Sequence, residues 1–178
     1  MDISNGNGIG VALFVQGCHL HCPNCFNPET WDFNGGKEWT EKVKNKFLEL
    51  VDRPYIKRIS ILGGEPLAEE NLDDVLDLVN EFHLSCPQKS IWLYTGYTWE
   101  NIWDCGIHGT DLYGKQWNSY SMLQIKWQEI VKQCDTLVDG QYIESQRDIL
   151  LPYRGSSNQR LIDIQQSLQK GEVILWEQ

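Results

Sequence analysis

Short apolar runs alternate along this chain with stretches of helical character, and this alternation restricts the fold more than any other feature. Four runs typical of buried strands occupy residues 11–16, 56–62, 90–96 and 136–140. The segments of helical character lie at 40–51, 72–82, 98–103 and 123–133. Because parallel strands need long crossover connections, this alternation predicts an α/β fold with a parallel sheet.

Parts of the chain outside this pattern carry weaker signals. Thr40 and Thr98 are of a residue type that caps helix N-termini. Residues 104–122 are rich in Gly, Asn, Ser and Tyr and are expected to form an irregular insertion, and the tail at 171–178 is expected to end in a further strand. A length of 178 residues with no low-complexity linker predicts a single domain, 1–178.

Each predicted strand runs into a glycine-rich or polar segment. A cysteine loop follows the first strand, and the later segments are GGEP at 63–66, TGY at 95–97 and DG at 139–140. In parallel sheets, ligands bind beyond the carboxyl ends of the strands. The sequence therefore predicts that the four segments meet at one edge of the sheet and form a site there.

The loop after the first strand contains three closely spaced cysteines. The stretch FVQGCHLHCPNCFN, residues 14–27, has the spacing C-x3-C-x2-C. Thiolates bind zinc and iron–sulfur clusters. A structural zinc site needs a fourth ligand, which His19, His21 or a distant cysteine would supply, and an electron-carrying cluster normally uses four cysteines. Three thiolates on a 4Fe-4S cluster leave one iron open to a substrate group, so the spacing favours a catalytic cluster over these alternatives.

Composition and charge narrow the function classes. The chain has 15 basic and 25 acidic residues and a formal net charge of −10, so its surface is expected to repel phosphate backbones, and nucleic acid is not an expected partner. We expect neither a signal peptide nor a membrane span, because no suitable apolar run occurs. The six cysteines are therefore expected to be free thiols in a reducing cytoplasm.

Two of these motifs together resemble the radical S-adenosylmethionine (SAM) superfamily. Its signature is C-x3-C-x2-C after the first strand, and GGEP at 63–66 is similar to its motif for the amino group of SAM. The stretches GVALFVQGCHLHCPNCFNPETWDF and LVDGQY…LLPYRGSSNQRLIDI resemble the activating proteins of the anaerobic (class III) ribonucleoside-triphosphate reductase. The resemblance covers 5–35, 56–100 and 134–176 and implies a partial, open β/α barrel of the radical SAM type.

The resemblance assigns roles to the residues of both motifs. Gly63 and Gly64 lack a Cβ and would let the backbone approach SAM closely. Glu65 would accept a charge-assisted hydrogen bond from the cationic amino group of SAM. The resemblance implies one 4Fe-4S cluster per chain, bound by the three thiolates of Cys18, Cys22 and Cys25. The same three cysteines are implied as the catalytic residues.

Further positions are implied as SAM contacts. Thr95 and Asp139 end later strands and would bind the carboxylate or ribose hydroxyls of SAM, while a cap role for Thr95 and a turn role for Asp139 remain open. Many radical SAM enzymes have an aromatic residue before the third cysteine, where this chain has Asn24; its backbone and the ring of Phe26 are expected to contact adenine. The polar cluster at 154–160 is expected to line the cofactor or partner site, or to form a hydrogen-bonded loop.

The function implied by the resemblance is enzymatic activation of the class III reductase. An external one-electron reductant such as a flavodoxin would reduce the cluster, and reductive cleavage of SAM would give a 5′-deoxyadenosyl radical. This radical would take a hydrogen atom from a glycine Cα near the C-terminus of the reductase large subunit. Two alternatives remain open: a radical SAM enzyme of the deazaguanine-forming type that acts on a small molecule, and a non-catalytic iron–sulfur or zinc module.

Overall fold

Strands and helices alternate along most of the chain, as the sequence predicts. The computed structural model describes residues 1–104, 107–110 and 116–177. For residues 107–110 and 116–119 it describes the backbone alone. The strands are β1 (Gly10–Val15), β2 (Arg58–Gly63), β3 (Ser90–Tyr94), β4 (Ile107–Thr110), β5 (Gln116–Ser119), β6 (Thr136–Asp139) and β7 (Arg160–Asp163). The helices are α1 (Glu41–Val51), α2 (Leu72–Ser85), α3 (Trp99–Trp103), α4 (Met122–Val131) and α5 (Ile164–Lys170).

Five of these strands form one mixed sheet in the order β1-β2-β3-β6-β7. The pairs β1–β2, β2–β3 and β3–β6 are parallel, and only the edge pair β6–β7 is antiparallel. The predicted α/β class is confirmed, and the predicted parallel sheet is confirmed for four of the five strands. The carboxyl ends of β1, β2, β3 and β6 therefore lie along one edge of the sheet.

The two faces of the sheet have different coverings. One register level across the five strands faces the helices and consists of Leu13, Ile61, Leu93, Leu137 and Ile162. These residues pack into a core to which all five helices contribute. The opposite face carries a smaller cluster, made of Trp92, Val138 and Leu161 with Tyr94, Tyr153 and Trp176. The helices thus cover one face, and the other face is free to border cavities.

Local sequence explains where several helices begin and end. The hydroxyl of Thr40 accepts a hydrogen bond from the Val43 amide at the start of α1, and Thr98 forms a capping box with Asn101 at the start of α3. Both predicted caps are confirmed. Helix α5 ends at Gly171, whose φ of 71° is the left-handed conformation that glycine adopts most readily.

Some elements differ from the prediction. The segment 104–122, expected to be irregular, contains the antiparallel pair β4–β5, whereas its residues 105–106 and 111–115 lie outside the described ones. The expected strand in the tail is reduced to a single bridge between Leu175 and Ile162. Strand β7 was not predicted, because a four-residue strand that is fixed by its pairing with β6 has no clear local pattern. Helix α5, which follows it directly, was not predicted either.

The N-terminal segment is attached to the sheet by a buried arginine. The guanidinium of Arg58, at the start of β2, donates to the Gly6 carbonyl at 2.9 Å and to the Asp2 carboxylate at 2.8 Å. Its side chain is completely buried. This attachment holds Ser4 and Asn5 close to the sheet face that the helices leave uncovered, where both residues line a cavity.

Candidate functional site

The three loop cysteines line one small cavity at the carboxyl end of the sheet. The cavity has a volume of about 120 Å³ and is bordered by Cys18, Cys22 and Cys25 together. The loop that carries them is closed at its base by a hydrogen bond of 2.9 Å from the Gly17 amide to the Thr30 carbonyl. The fold therefore brings together the three thiols that the spacing predicts to act together.

Backbone reversals inside the loop turn successive cysteines toward this cavity. His21 and Asn24 have φ values of 44° and 56°, in the left-handed region. This region is unfavourable for most residues, whereas Asn and His adopt it more often than others. Each of the two residues immediately precedes a cysteine, Cys22 or Cys25, so the choice of His and Asn suits the path of the loop.

The protein environment keeps two of the thiols protonated in the absence of a metal. Burial raises the pKa of Cys18 and of Cys22, and the proximity of Cys25 raises both further. The backbone amides of Leu20 and His21 act in the opposite direction on the pKa of Cys18, without reversing it. Binding of iron to these groups would therefore release protons.

The Gly63-Gly64-Glu65 turn packs directly against the cysteine loop. The Gly64 amide donates to the Val15 carbonyl at 2.9 Å, and the Glu65 amide donates to the Gly17 carbonyl at 2.8 Å. A Cβ on Gly64 would lie 2.4 Å from the Gly17 oxygen, and Gly63 has a φ of +107°. Glycine is therefore required at both positions, and both residues border the same cavity as the cysteines.

Glu65 places a buried carboxylate at this cavity with no cation beside it. The residue is 2% exposed. Its Oε1 accepts from the Leu67 amide at 2.8 Å and from the Thr95 hydroxyl at 2.7 Å, and its Oε2 accepts from the Gly96 amide at 2.8 Å. Burial raises the pKa of Glu65 to about 7, although these donors act to lower it. In the described part of the chain no basic side chain pairs with it, so it suits a ligand that brings a positive charge.

The structure separates the two strand-end residues predicted as further SAM contacts. Thr95 borders the cysteine cavity and donates to Glu65. Asp139 is 1% exposed, and its carboxylate accepts from Arg160 Nε at 3.0 Å and from the Trp99 amide at 2.8 Å. It does not border the cavity, and both of its oxygens accept hydrogen bonds from the protein. A role of Asp139 in direct contact with SAM stays a prediction.

A second cavity of about 440 Å³ adjoins the first. Cys25, Tyr142 and Gln159 border both cavities. Phe26 lines the larger one and packs against Tyr142, with ring centroids 4.9 Å apart. Asn24 borders neither cavity, so the structure brings Phe26 but not the Asn24 side chain next to the cysteine site.

Tyr142 and Gln159, which border both cavities, were not named individually as cofactor contacts. Tyr142 follows Gly140 by two positions, beyond a predicted strand, and the same strand-end rule that singled out Asp139 would have included it. Gln159 belongs to the polar cluster at 154–160. Its Oε1 accepts from the Gly155 amide at 2.9 Å, and its Nε2 donates to the Gly140 carbonyl at 3.0 Å. This part of the cluster is both a hydrogen-bonded loop and a wall of the site.

The three thiols are not arranged around one point. Across residues 1–104, 107–110 and 116–177, no three His, Cys, Asp or Glu side chains are placed as ligands of a single metal ion. A 4Fe-4S cluster does not need such an arrangement, because each cysteine binds a different iron.

Cavity size alone does not identify the site. A larger cavity of about 590 Å³ lies between β1 and α2, beside the helix-covered face of the sheet. It contains none of the predicted site residues, and its lining combines apolar side chains such as Leu13 and Trp39 with the glycines at 35–36. The chemistry-bearing residues collect instead around the smaller pair of cavities.

Comparison with known proteins agrees with the chemistry of this site. Residues 4–162 match the family model described as a 4Fe-4S single cluster domain. The chain is 35% identical over 161 residues to the anaerobic ribonucleoside-triphosphate reductase-activating proteins of Salmonella typhi and Escherichia coli (strain K12), in alignments that cover 89% of this chain and 91% of each relative. The protein of the same name from Enterobacteria phage T4 is 32% identical over 160 residues, or 90% of this chain and 87% of that relative.

The chain belongs to the family of anaerobic ribonucleoside-triphosphate reductase-activating proteins. Membership of this activating-protein family confirms the resemblance that the motifs indicate, and the matched 4Fe-4S domain includes all three loop cysteines and Glu65. No solved structure matches the chain. None of the helices in the described ranges combines the length and the apolar character needed to cross a membrane.

Proposed function

We propose that this chain activates a class III ribonucleoside-triphosphate reductase by generating a glycyl radical on it, as a single radical SAM domain spanning 1–178. The observation that carries the proposal is the shared cavity of the C-x3-C-x2-C thiols and the unpaired carboxylate of Glu65. The relatives that align with about nine-tenths of the chain are named as activators of the anaerobic reductase, and that reductase is the macromolecular partner we propose.

The donor set fits a 4Fe-4S cluster with one open iron. Three thiols border the cavity, and the other described cysteines, Cys86 and Cys134, are buried in the helix-side core; Cys105 lies outside the described residues. The five described cysteines are free thiols, which agrees with a reducing cytoplasm. When bound, such a cluster would supply the electron for reductive cleavage of SAM to methionine and a 5′-deoxyadenosyl radical. An external flavodoxin-like reductant would provide that electron, and the radical would take a hydrogen atom from a glycine Cα of the reductase.

The contribution of the protein to this reaction is binding and orientation. Glu65 is held by three donors in one geometry, so it offers a fixed, buried acceptor to the ammonium group of SAM. Gly63 and Gly64 let the turn that carries Glu65 pack against the backbone of β1 and the base of the cysteine loop, where a Cβ would clash. Thr95 contributes indirectly by orienting the Glu65 carboxylate.

We also propose that the sheet is the open β/α barrel of radical SAM enzymes and that its uncovered face holds the nucleoside. All five helices pack on one face, whereas Phe14, Leu62 and Tyr94 from three adjacent strands line the 440 Å³ cavity on the other. Phe26 is 51% exposed and packs on Tyr142, so an aromatic ring is available to an adenine base. An open cavity of this kind also admits a segment of a second protein.

The test is anaerobic reconstitution with iron, sulfide, SAM and dithionite, with and without a class III reductase. We expect a brown protein that forms methionine and 5′-deoxyadenosine, and a glycyl radical signal in electron paramagnetic resonance only when the reductase is present. Cys25→Ala should lose both SAM cleavage and the radical, whereas Cys86→Ala, at a buried position away from the cavity, should retain them. A colourless zinc protein, or a brown protein that never binds SAM, would contradict the proposal.

The same reconstitution separates the remaining enzymatic alternative. An enzyme of the deazaguanine-forming type would consume SAM in the presence of its small-molecule substrate and leave the reductase without a radical. SAM cleavage combined with a reductase that stays free of radical in every mixture would therefore favour the small-molecule enzyme.

A further inference from the structure

One side chain of the polar loop at 154–160 has no hydrogen-bond or ion-pair partner in the described part of the chain. The loop residues that each make at least one side-chain hydrogen bond are Ser156, Ser157, Asn158, Gln159 and Arg160. Among the described residues, the guanidinium of Arg154 makes neither a hydrogen bond nor an ion pair, and its Nε is fully enclosed. Hydrogen bonding of the loop therefore explains most of the cluster but not Arg154.

Arg154 lines the 440 Å³ cavity that adjoins the cysteine site. The acidic side chain among the described residues of that lining, Asp148, accepts from the Leu150 amide of its own turn at 2.9 Å and makes no ion pair with Arg154. Elsewhere in this acidic chain, Arg58 and Arg160 each pair with a carboxylate at 2.8 Å or less. An arginine with a free guanidinium beside a cavity is therefore an exception in this protein.

We propose that Arg154 binds a carboxylate in the cavity beside Cys25. A partly desolvated guanidinium without a partner is unfavourable, and a carboxylate matches its planar donors in a bidentate geometry. Glu65 borders the smaller cavity and Arg154 the larger, and the two cavities share Cys25 and Tyr142. The connected space thus offers an acceptor for an ammonium group and a donor for a carboxylate, the two charged groups of an α-amino acid.

This inference rests on the proposed function, which brings the carboxylate of the methionine moiety of SAM to the cavity. A carboxylate on the reductase segment that enters the site is the second source that the experiment distinguishes. The bond to Arg154 is the same in both cases. Two arms of one experiment tell these sources apart.

The first arm compares SAM with decarboxylated SAM in anaerobic titration calorimetry on the reconstituted protein. For Arg154→Gln we expect SAM to bind about 10- to 100-fold more weakly, while decarboxylated SAM binds within about twofold of the wild-type value. Arg154→Lys should lose less, because it retains the charge but not the planar pair of donors. A misfolded site would lose both ligands together, so the ratio of the two affinities separates a lost contact from a lost fold.

Arg53→Gln is the matched control, because it makes the same substitution at a residue that lies before β2, at the opposite end of the sheet. Among the described residues, the Arg53 guanidinium bonds only to the Tyr55 hydroxyl. The variant should bind both ligands as the wild type does. The second arm measures the affinity of the SAM-loaded protein for the class III reductase. A loss of tenfold or more in Arg154→Gln, with SAM affinity and the Arg53→Gln control unchanged, assigns the carboxylate to the reductase.

The outcomes of the two arms are distinct. Unchanged affinity of Arg154→Gln for both SAM and the reductase overturns the inference and leaves the proposed function standing. A wild-type protein that does not bind SAM contradicts the proposed function instead. In that case the reductase arm is run on the cluster-loaded protein without SAM, and a loss of affinity in Arg154→Gln but not in Arg53→Gln still assigns a carboxylate of the reductase to Arg154, whereas equal affinities overturn the inference.

Discussion

Replacing Glu65 with glutamine tests whether this site contains a desolvated carboxylate. Burial raises the pKa of Glu65 from 4.5 to about 7. The folded state therefore retains the Glu65 proton at pH values where the unfolded chain has lost it. Between about pH 4.5 and pH 7 the folded state binds more protons than the unfolded state. The free energy of unfolding therefore falls as the pH rises through this range, and Glu65 has its full destabilising effect above pH 7.

The magnitude follows from the difference between the two pKa values. A change from 4.5 to about 7 corresponds to about 3 kcal/mol in the free energy of unfolding. Glu65→Gln removes this pH-dependent contribution because the amide does not titrate. The substitution also replaces one acceptor oxygen by an NH2 group. Either the Gly96 amide or the donors at Oε1 then lose their acceptor, which lowers the free energy of unfolding by about 1–3 kcal/mol at every pH.

Urea unfolding of the cluster-free wild type and variant at pH 5 and pH 8 measures both contributions. We expect the wild type to be more stable than the variant at pH 5, and this advantage to shrink by about 2 to 3 kcal/mol at pH 8. Groups that titrate alike in both proteins cancel from the comparison. A difference that stays constant between the two pH values would refute the reasoning, because the carboxylate would then be as well solvated as in the unfolded chain.

If Glu65 receives the ammonium group of SAM, the affinity for SAM should depend on pH in the opposite direction to the stability. The cation favours the ionised carboxylate, so the affinity of the wild-type, cluster-loaded protein for SAM is expected to rise as the pH increases through about 7. Glu65→Gln should bind SAM about 10- to 100-fold more weakly above pH 7 and should not show this rise. Calorimetric titrations at several pH values give both results.

Three further substitutions test the packing at the site and the ion pair that fixes the sheet edge. Gly64→Ala introduces a Cβ 2.4 Å from the Gly17 carbonyl oxygen, a backbone atom that cannot rotate away, so we expect a loss of about 1–3 kcal/mol in urea unfolding together with weaker SAM binding. Arg160→Gln leaves the Asp139 carboxylate buried without its cation and should cost about 3 kcal/mol or more, whereas Lys126→Gln breaks only an exposed ion pair and should change stability by less than about 1 kcal/mol. Equal effects of the two charge removals in thermal unfolding would contradict this account of Arg160.

The position of the site follows from the sequence because parallel strands end at a common edge. The apolar runs before the cysteine loop and before 63–66 locate β1 and β2, and these neighbouring strands bring Cys18 and Glu65 to one cavity. The hydrogen bond from Thr95 to Glu65 could not be predicted in the same way. It depends on how side chains at the ends of β2 and β3 are oriented, and periodicity does not determine this orientation.

Asp139 illustrates the limit of strand-end reasoning. Its position at the end of β6 is as predicted, but its carboxylate is bound by Arg160, which lies 21 residues further along on β7. Strand β7 has only four residues and is fixed by tertiary pairing, so the partner of Asp139 could not be read from local sequence. Where a distant residue neutralises a strand-end carboxylate, the strand-end rule gives the position of the carboxylate but not its partner in the protein.

The contrast between Asp139 and Glu65 also explains how the ligand-free protein can stay folded although charged groups at its site have no partner. Asp139 and Arg160 neutralise each other at the sheet edge, and the helix-side core is continuous across all five strands. Glu65 and Arg154, in contrast, make no ion pair with another described residue, and each borders one of two adjoining cavities. Such unpaired groups lower the stability of the empty protein, and local disagreements of this kind are expected at functional sites. Under the proposed function, a ligand with both an ammonium and a carboxylate group would pair with both residues, whereas a ligand with one charge would leave the other residue unpaired.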